Sequence, residues 1–310
     1  MKLVIQVPAW NEAATLTRAL EELPRTLEGF DTVELLVIDD GSSDGTSEVA
    51  SACGASVVRL PVHAGLARAF TVGLEAALRR GADVIVNTDA DGQYDPAALP
   101  ALVAPIVAGE ADIVLGDRGV RTLAHFSLTK RWLQQLGTWF VRMLSGVPLA
   151  DATTGFRAFS RAAAARLHCF TTFTYTLETL IQAGQSHLVV RSVPVATRAD
   201  ARPSRLVRSN TRYVLISLAT LVRLVFIYRP LRILLTLAVA CWLGAAVLGA
   251  RYAYYYLTGI SPAGHLQSLI AFALLAITGV QLAVLGMLAD LTAVNRRLLD
   301  DVLAKERESR

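Results

Sequence analysis

DVIVNTDADGQYDP, residues 83–96, decides the architecture of this chain. It opens as a strand, with Val84, Ile85 and Val86 in succession, and closes in a polar loop where Asp89, Asp91 and Gln93 alternate. A strand apolar at consecutive positions is covered on both faces, the mark of a mainly parallel sheet flanked by helices. At a strand end, alternate residues point the same way, so these three side chains offer oxygen donors to one side. Carboxylate and amide oxygens favour Mg²⁺ or Mn²⁺ over zinc. An Asp-x-Asp pair alone is common; its place after an apolar strand and before Gly92-Gln93 gives it weight.

The same alternation extends to both sides. Strands are predicted at 3–9, 33–40, 56–60, 83–89 and 112–117, and helices at 12–23, 44–53, 64–80, 96–108 and 126–145. The fold class is therefore α/β, a Rossmann-like domain over residues 1–200. Ligands of such sheets bind beyond the carboxyl ends of the strands. Polar clusters stand there: Asn11-Glu12, Asp39 to Gly45, Asp89 to Gln93, and Gly116-Asp117-Arg118. Neither GxxxxGK[ST] nor GxGxxG occurs, which argues against a P-loop or dinucleotide-binding enzyme. An acidic rim that handles a nucleotide needs a divalent cation to hold the diphosphate. Within Asp39-Asp40-Gly-Ser-Ser-Asp-Gly, Ser43 or Asp44 is expected to cap the next helix while Asp39 faces the ligand. Trp10 either stacks on a base or packs at the strand end. His63 and His125 have no evident orienting partner.

Composition separates a second region. Of 310 residues, 53% are hydrophobic and 18% charged, too apolar for an ordinary soluble enzyme and far too apolar for a disordered chain. Thirty Lys and Arg against 26 Asp and Glu give a net charge of +4, too small an excess to point to nucleic acid. Three dispersed cysteines, Cys53, Cys169 and Cys241, exclude a disulfide framework and fit a reducing compartment. MKLVIQVPAWNEA, residues 1–13, reads as a strand and not as a signal peptide.

The apolar excess sits near the C-terminus. Residues 233–250 carry no charge, enough for about 27 Å of helix. Arg251 and a cluster of Tyr252, Tyr254, Tyr255 and Tyr256 follow, as in an interfacial aromatic belt. A second uncharged run, 266–289, ends at Asp290. The linking GISPAGH has no Lys or Arg, whereas Arg202 to Arg232 and Arg296 to Arg310 are basic. The positive-inside bias predicts an integral protein of the inner or plasma membrane with both termini and the large domain cytoplasmic. Residues 204–229 read as an interfacial amphipathic helix, with Arg205, Arg212 and Arg223 within about 20° of one another on its wheel. Tyr228-Arg229-Pro230 marks the bend into the membrane. The expected organisation is a catalytic domain (1–200), a juxtamembrane segment (201–232), a transmembrane hairpin (233–291) and a cytoplasmic tail (292–310). Glycines in Gly244 to Gly249 and Gly279 to Gly286 suit helix packing, within the monomer or in a homo-oligomer.

VPAWNEA (7–13), VIDDGSSDGT (37–46), HAGLARAFTVGL (63–74), NTDADGQYDP (87–96), GDR (116–118) and DATTGFRAFSR (151–161), in this order, resemble glycosyltransferase family 2, with its GT-A fold. Arg202-Pro203-Ser204-Arg205-Leu206 and the two apolar runs resemble its polyprenyl-phosphate branch, which includes dolichyl-phosphate mannose synthase. The resemblance implies that Pro8, Trp10, Glu12 and Asp39 hold the nucleotide of a UDP- or GDP-sugar, and that Asp89, Asp91 and Gln93 hold Mg²⁺ or Mn²⁺ and the diphosphate. It assigns the acceptor phosphate of a polyprenyl lipid to Arg118, Arg131 and Arg202, with help from Arg205, and places Arg157 near the acceptor or in ordering its loop. Asp89, Asp91 and Arg118 would then surround the reacting centre, and transfer would invert the anomeric carbon. Departures are Trp10 for a usual Tyr, His63 for Asn, Arg205 for Lys, and Gln135 for Ser.

A phosphate acceptor, with a second pKa of about 6, needs no general base near neutral pH. The Glu-Asp pair and Gln-x-x-Arg-Trp of processive polysaccharide synthases are missing from the expected region. Glu178 reads as a helix or acceptor-loop residue. The alternative is a hydroxyl acceptor, lipid or glycan, with Asp151 as the candidate base. A catalytically silent scaffold is the third reading, and the intact Asp89, Asp91 and Gln93 set argues against it.

Overall fold

The computed structural model describes residues 1–119, 142, 143, 145, 146, 151–167, 169, 175–196, 198, 226, 230–259 and 266–309. The chain divides into two units, residues 1–216 with 301–310, and residues 217–300.

The first unit is built on seven strands: β1 (Lys2–Ala9), β2 (Thr32–Asp39), β3 (Ser56–Arg59), β4 (Val84–Asn87), β5 (Ile113–Asp117), β6 (Arg157–Ser160) and β7 (Val190–Pro194). They form one sheet in the order β3-β2-β1-β4-β6-β5-β7. All neighbours run parallel except β6, which lies antiparallel between β4 and β5. Registers Ala9↔Asp39, Asn87↔Arg157 and Leu115↔Arg157 put the carboxyl ends of β1, β2, β4 and β5 on one rim with the start of β6.

Helices α1 (Ala13–Glu22), α2 (Thr46–Ala52), α3 (Leu66–Arg79) and α4 (Leu99–Val107, after the 3₁₀ turn Pro96–Ala98) follow the first four strands. Helices α5 (Arg161–Arg166) and α6 (Tyr175–Gln185) follow β6. One core joins Leu3, Ile5 and Val7 to Leu16, Leu35, Val86, Leu102 and Phe156. On the other face Phe70 of α3 stacks on Tyr175 at 4.1 Å and meets Phe159 edge-on at 5.7 Å.

The five expected strands and the first four helices fall within a few residues of their predicted places. The sequence reading lacked β6, β7, α5 and α6. The predicted helix 126–145 lies outside the described residues apart from 142, 143 and 145, and the amphipathic segment 204–229 lies outside them apart from 226.

Helix α7 (Pro230–Leu257) and helix α8 (Leu266–Ser309), the latter over its residues 266–300, lie in the second unit and are the two helices among the described residues long and apolar enough to span a membrane. A Cβ at Gly279 would come 2.4 Å from Trp242 Nε1, and one at Gly249 3.1 Å from Phe272. Gly286 likewise faces Leu234 and Leu231. These glycines are spent on contacts between the two helices within one chain, where small residues permit close approach. Helix α8 does not break where the apolar run ends, so the expected tail after 291 continues as helix to Ser309.

One polar pair crosses the sheet interior. Gln6 Nε2 donates to Asn87 Oδ1 at 2.9 Å, leaving Gln6 Oε1 buried without a partner among the described residues. Gly73 makes room for it, since a Cβ there would lie 2.4 Å from Gln6 Oε1 and 3.1 Å from Ile38. Gly73→Ala is expected to lower stability by about 1–3 kcal/mol through overpacking. Denaturant unfolding checks this, and an unchanged midpoint would contradict the close approach of α3 to β1.

Candidate active site

Four segments converge on the rim. After β1, Asn11 adopts a left-handed conformation at φ 53°, which lets its side chain turn towards the loop after β2. Asn11 Oδ1 accepts from Ser43 N, Asn11 N donates to Ser42 Oγ, and Asp44 Oδ2 accepts from Ala13 N. The Asp-Gly-Ser-Ser-Asp loop is thus a clamp on the end of β1. Asp44 also accepts from Thr46 N at the start of α2, close to the capping role expected of it.

Asp39 and Asp40 divide their tasks unexpectedly. Asp39, expected to face a ligand, is 1% exposed. Its carboxylate accepts from Ser42 N at 2.8 Å and from the Ser47 hydroxyl, so it organises its own loop. Burial alone would raise this carboxyl, but those hydrogen bonds and Arg59 hold it below the ordinary value. Asp40 accepts from Ala64 N and Gly65 N at 2.8 and 2.9 Å and faces His63 Nδ1 at 2.8 Å. His63, which the sequence left without a partner, is therefore oriented by Asp40. Its ring stacks on the half-exposed Trp10, centroids 4.0 Å apart. Pro8 is buried in β1 opposite Ile38, and Glu12 accepts from Thr15 Oγ1 at 2.8 Å.

Asp89 stands two residues beyond β4. Burial, then the charge of Asp91, raises its carboxyl to about 6, with Arg118 and Arg157 working in the other direction. Asp91 is exposed, and its Oδ1 accepts from Gln93 N at 3.0 Å, which folds the loop back on itself. The peptide of Gly155 lies against the Asp89 carboxylate: a Cβ there would come within 2.7 and 2.8 Å of its two oxygens. That peptide is fixed at both ends. Asn87 Nδ2 donates to Gly155 O at 2.8 Å, and Gly155 N donates to Tyr94 Oη at 3.0 Å. Asn87 Nδ2 also reaches Tyr175 Oη at 3.0 Å. Burial, then Asp89, pushes the Tyr94 phenol up to about 12, so it remains protonated.

Arg118 follows β5 and pairs with Asp151 through Nε to Oδ2 at 2.7 Å and Nη2 to Oδ1 at 3.2 Å, with Nη2 also reaching Thr153 Oγ1 at 2.8 Å. Burial would raise Asp151, but Arg118 and Thr153 hold it below the ordinary value. The candidate base Asp151 is thus an ionised carboxylate whose two oxygens are engaged by Arg118 and Thr153.

Arg157 also departs from its expected contact with the acceptor phosphate. It is 0% exposed. Its guanidinium donates to Thr154 O, Thr176 O, Ala152 O and Thr179 Oγ1. That geometry serves the other role foreseen for it, ordering loop 151–157. Glu178 is buried in α6. Arg131, Arg202, Arg205, His125 and Gln135 lie outside the described residues.

A sequence model described as glycosyl transferase family 2 matches residues 4–167, more than half of the chain. The chain belongs to this family. It is a glycosyltransferase with a GT-A-like α/β domain. It is 31% identical over 202 residues to an uncharacterised protein of Methanocaldococcus jannaschii, covering 63% of this chain and 81% of that one. It is 31% identical to the undecaprenyl-phosphate mannosyltransferase of Micrococcus luteus, over 51% of this chain and 66% of the relative. Identity to the polyprenol monophosphomannose synthase of Mycolicibacterium smegmatis is 32%, over 52% and 62%. The chain thus spans somewhat under two thirds of the length of those two transferases. Among solved structures, glucosyl-3-phosphoglycerate synthase of Mycobacterium tuberculosis with Mn²⁺ and UDP-glucose superposes with a TM-score of 0.54 at 26% identity, covering 71% of this chain and 78% of that one.

For this glycosyltransferase, Gly155→Ala is expected to displace the Asp89 carboxylate and slow sugar transfer by about tenfold or more. The thermal unfolding midpoint should move little, because the strain is relieved at the rim. An unaltered rate would contradict the contact.

Proposed function

We propose that the protein transfers a sugar from a UDP- or GDP-sugar to a polyprenyl phosphate at the cytoplasmic face of an inner or plasma membrane. The observation that carries this reading is the pairing of Arg118 with Asp151. The acid best placed to serve a hydroxyl acceptor is consumed by a guanidinium. An acceptor that arrives already ionised needs no base, and a phosphate is such an acceptor.

The donor end is read from the opposite side of the rim. Pro8, Trp10 and Glu12 border the nucleotide, with Trp10 offering an exposed ring face for stacking. Asp39 supports them through its loop. Asp89, Asp91 and Gln93 fit a hard divalent cation: their donors are oxygens, and burial and the charge of Asp91 raise the proton affinity of Asp89 despite Arg118 and Arg157 nearby. Mg²⁺ or Mn²⁺ bound there would neutralise charge building on the leaving diphosphate. Relatives named as polyprenyl-phosphate mannosyltransferases and a structural relative holding Mn²⁺ with UDP-glucose support both halves of the reading.

The acceptor end is read from Arg118, Arg131, Arg202 and Arg205. Arg198 N donates to Gln93 O at 3.0 Å and Asp95 N to Ala196 O at 3.4 Å, so the chain leaves the metal loop itself only four residues before Arg202. Guanidiniums suit phosphate because their planar donors match its oxygens. Two apolar helices support membrane association, and the arginine-rich flanks favour a cytoplasmic catalytic unit and cytoplasmic termini by the positive-inside bias.

Purified protein in nanodiscs with undecaprenyl phosphate, radiolabelled UDP- and GDP-sugars and Mg²⁺ or Mn²⁺ should label the lipid. Asp91→Asn should reduce that rate by at least about a hundredfold. Label passing only to a hydroxyl lipid would overturn the phosphate assignment.

A pH dependence follows from Asp89. Its carboxyl is raised, so its proton contributes stability below the ordinary value, lost as pH climbs through about 6. A cation must displace that proton. Mn²⁺ affinity by calorimetry should fall about tenfold per unit below pH about 6 and level off above it. A flat profile down to about pH 4 would contradict Asp89 as a ligand.

A further inference from the structure

Arg118 is held along one edge only. Nε and Nη2 are taken by Asp151 and Thr153, while Nη1 makes no hydrogen bond among the described residues. Asp151 is equally committed, with Oδ2 accepting from Nε, and Oδ1 from Nη2, Thr153 N and Thr153 Oγ1. The pair is largely buried, at 10% and 3% side-chain exposure. It is also placed by backbone at both ends: Arg118 directly follows β5, and Gly116 N donates to Phe156 O at 2.9 Å across to the Asp151 loop.

A flexible arginine carries substantial rotamer entropy, which a phosphate would otherwise have to quench on binding. Here the carboxylate has already quenched it. A phosphate cannot take the Nε–Nη2 fork, so it meets the Nη1 side.

We propose that Asp151, with Thr153, is a positioning residue for acceptor binding: it locks the Nε–Nη2 edge of Arg118 and presents Nη1 to the acceptor phosphate. The proposal rests on the phosphate-acceptor reading above. The role differs from that of a base, because Asp151 touches neither the acceptor nor the reacting atoms.

The test is steady-state transfer to undecaprenyl phosphate by the full chain in nanodiscs, with acceptor and donor varied separately. Asp151→Asn loses the charge that fixes Arg118 and should raise the acceptor KM by about tenfold or more. The donor KM should not move, and kcat at saturating acceptor should fall by no more than about threefold. Thr153→Val removes the Oγ1 bond while leaving Asp151 paired, and should shift the acceptor KM in the same direction by a smaller factor. It reads the same clamp if Asp151→Asn fails to fold. In an Arg118→Ala background, Asp151→Asn should add no further rise in acceptor KM.

A fall in kcat of about a hundredfold with acceptor KM unchanged would make Asp151 a base and overturn the proposal. Equal losses in donor and acceptor KM would reduce the clamp to a merely structural role and overturn it as well. Labelled lipid with unaltered KM in both folded variants removes this proposal alone. A wild-type protein that labels no phosphate lipid with any donor removes the underlying reading too.

Discussion

The Asp89 carboxylate is the constraint on which the rim is organised. It sits where burial penalises its charge, beside a second carboxylate that penalises it further. Everything around it manages that cost. Arg118 and Arg157 bring positive charge near, Arg118 held along one edge by Asp151 and Thr153, Arg157 held by three main-chain carbonyls and the Thr179 hydroxyl. Three carboxylates stand against two guanidiniums, which leaves the cluster short of positive charge. On the function proposed above, a cation bound there would relieve repulsion already present, and the oxygen donors would favour hard ions.

The antiparallel strand is what lets one loop serve both sides of the site. Because β6 runs against β4 and β5, its beginning lies at the rim where its neighbours end. The loop before it, 151–156, therefore meets Asp89 through Gly155 and Arg118 through Asp151. A strand parallel to its neighbours would have carried that loop to the opposite edge. Asn87 then ties the loop to the interior, through Gln6 on one side and Tyr175 on the other. The orphaned oxygen of Gln6 is the cost of this tie, of the order of 1–3 kcal/mol for a buried unsatisfied acceptor. Precise placement of Gly155 against Asp89 is what that cost secures.

Legibility followed apolar continuity. The strands at 3–9, 33–40 and 83–89 announce themselves because they are buried on both faces, and the oxygen-donor set stands at the end of one of them. Strand β6, Arg-Ala-Phe-Ser, begins with a charged residue and is only four residues long. Strand β7, Val-Arg-Ser-Val-Pro, is an exposed edge. Neither carries an apolar run to find. In the site, residue types were legible and their pairings were not. Arg118 and Asp151 are 33 positions apart, and no local pattern joins them. Nothing local marks Arg157 as a fully committed cation, because three of its four partners are main-chain carbonyls, which every sequence has. Of the two adjacent acids, only tertiary geometry separates Asp39, bound to its own loop, from Asp40, bound to residues 63–65.

The apolar helices and the arginines bear on the same problem from different directions. An anionic lipid acceptor combines a head that must be gripped with a chain that must stay in hydrocarbon. A soluble enzyme would have to extract that chain, at about 0.8 kcal/mol for every methylene brought into water. Anchoring the enzyme avoids that cost, since the lipid then needs only to diffuse laterally. Helices α7 and α8 are long and apolar enough to supply such an anchor, with glycines that let Trp242 and Phe272 close the gap between them. On the function proposed above, what remains for the catalytic unit is to hold a phosphate at its rim against the negative field of its own carboxylates. On that reading an arginine already held along one edge by Asp151 meets the phosphate with little further loss of rotamer freedom, and the other arginines and a cation at Asp89 would add to the attraction. Acceptor affinity and donor occupancy would then be coupled, since without a cation the same carboxylates would repel the phosphate.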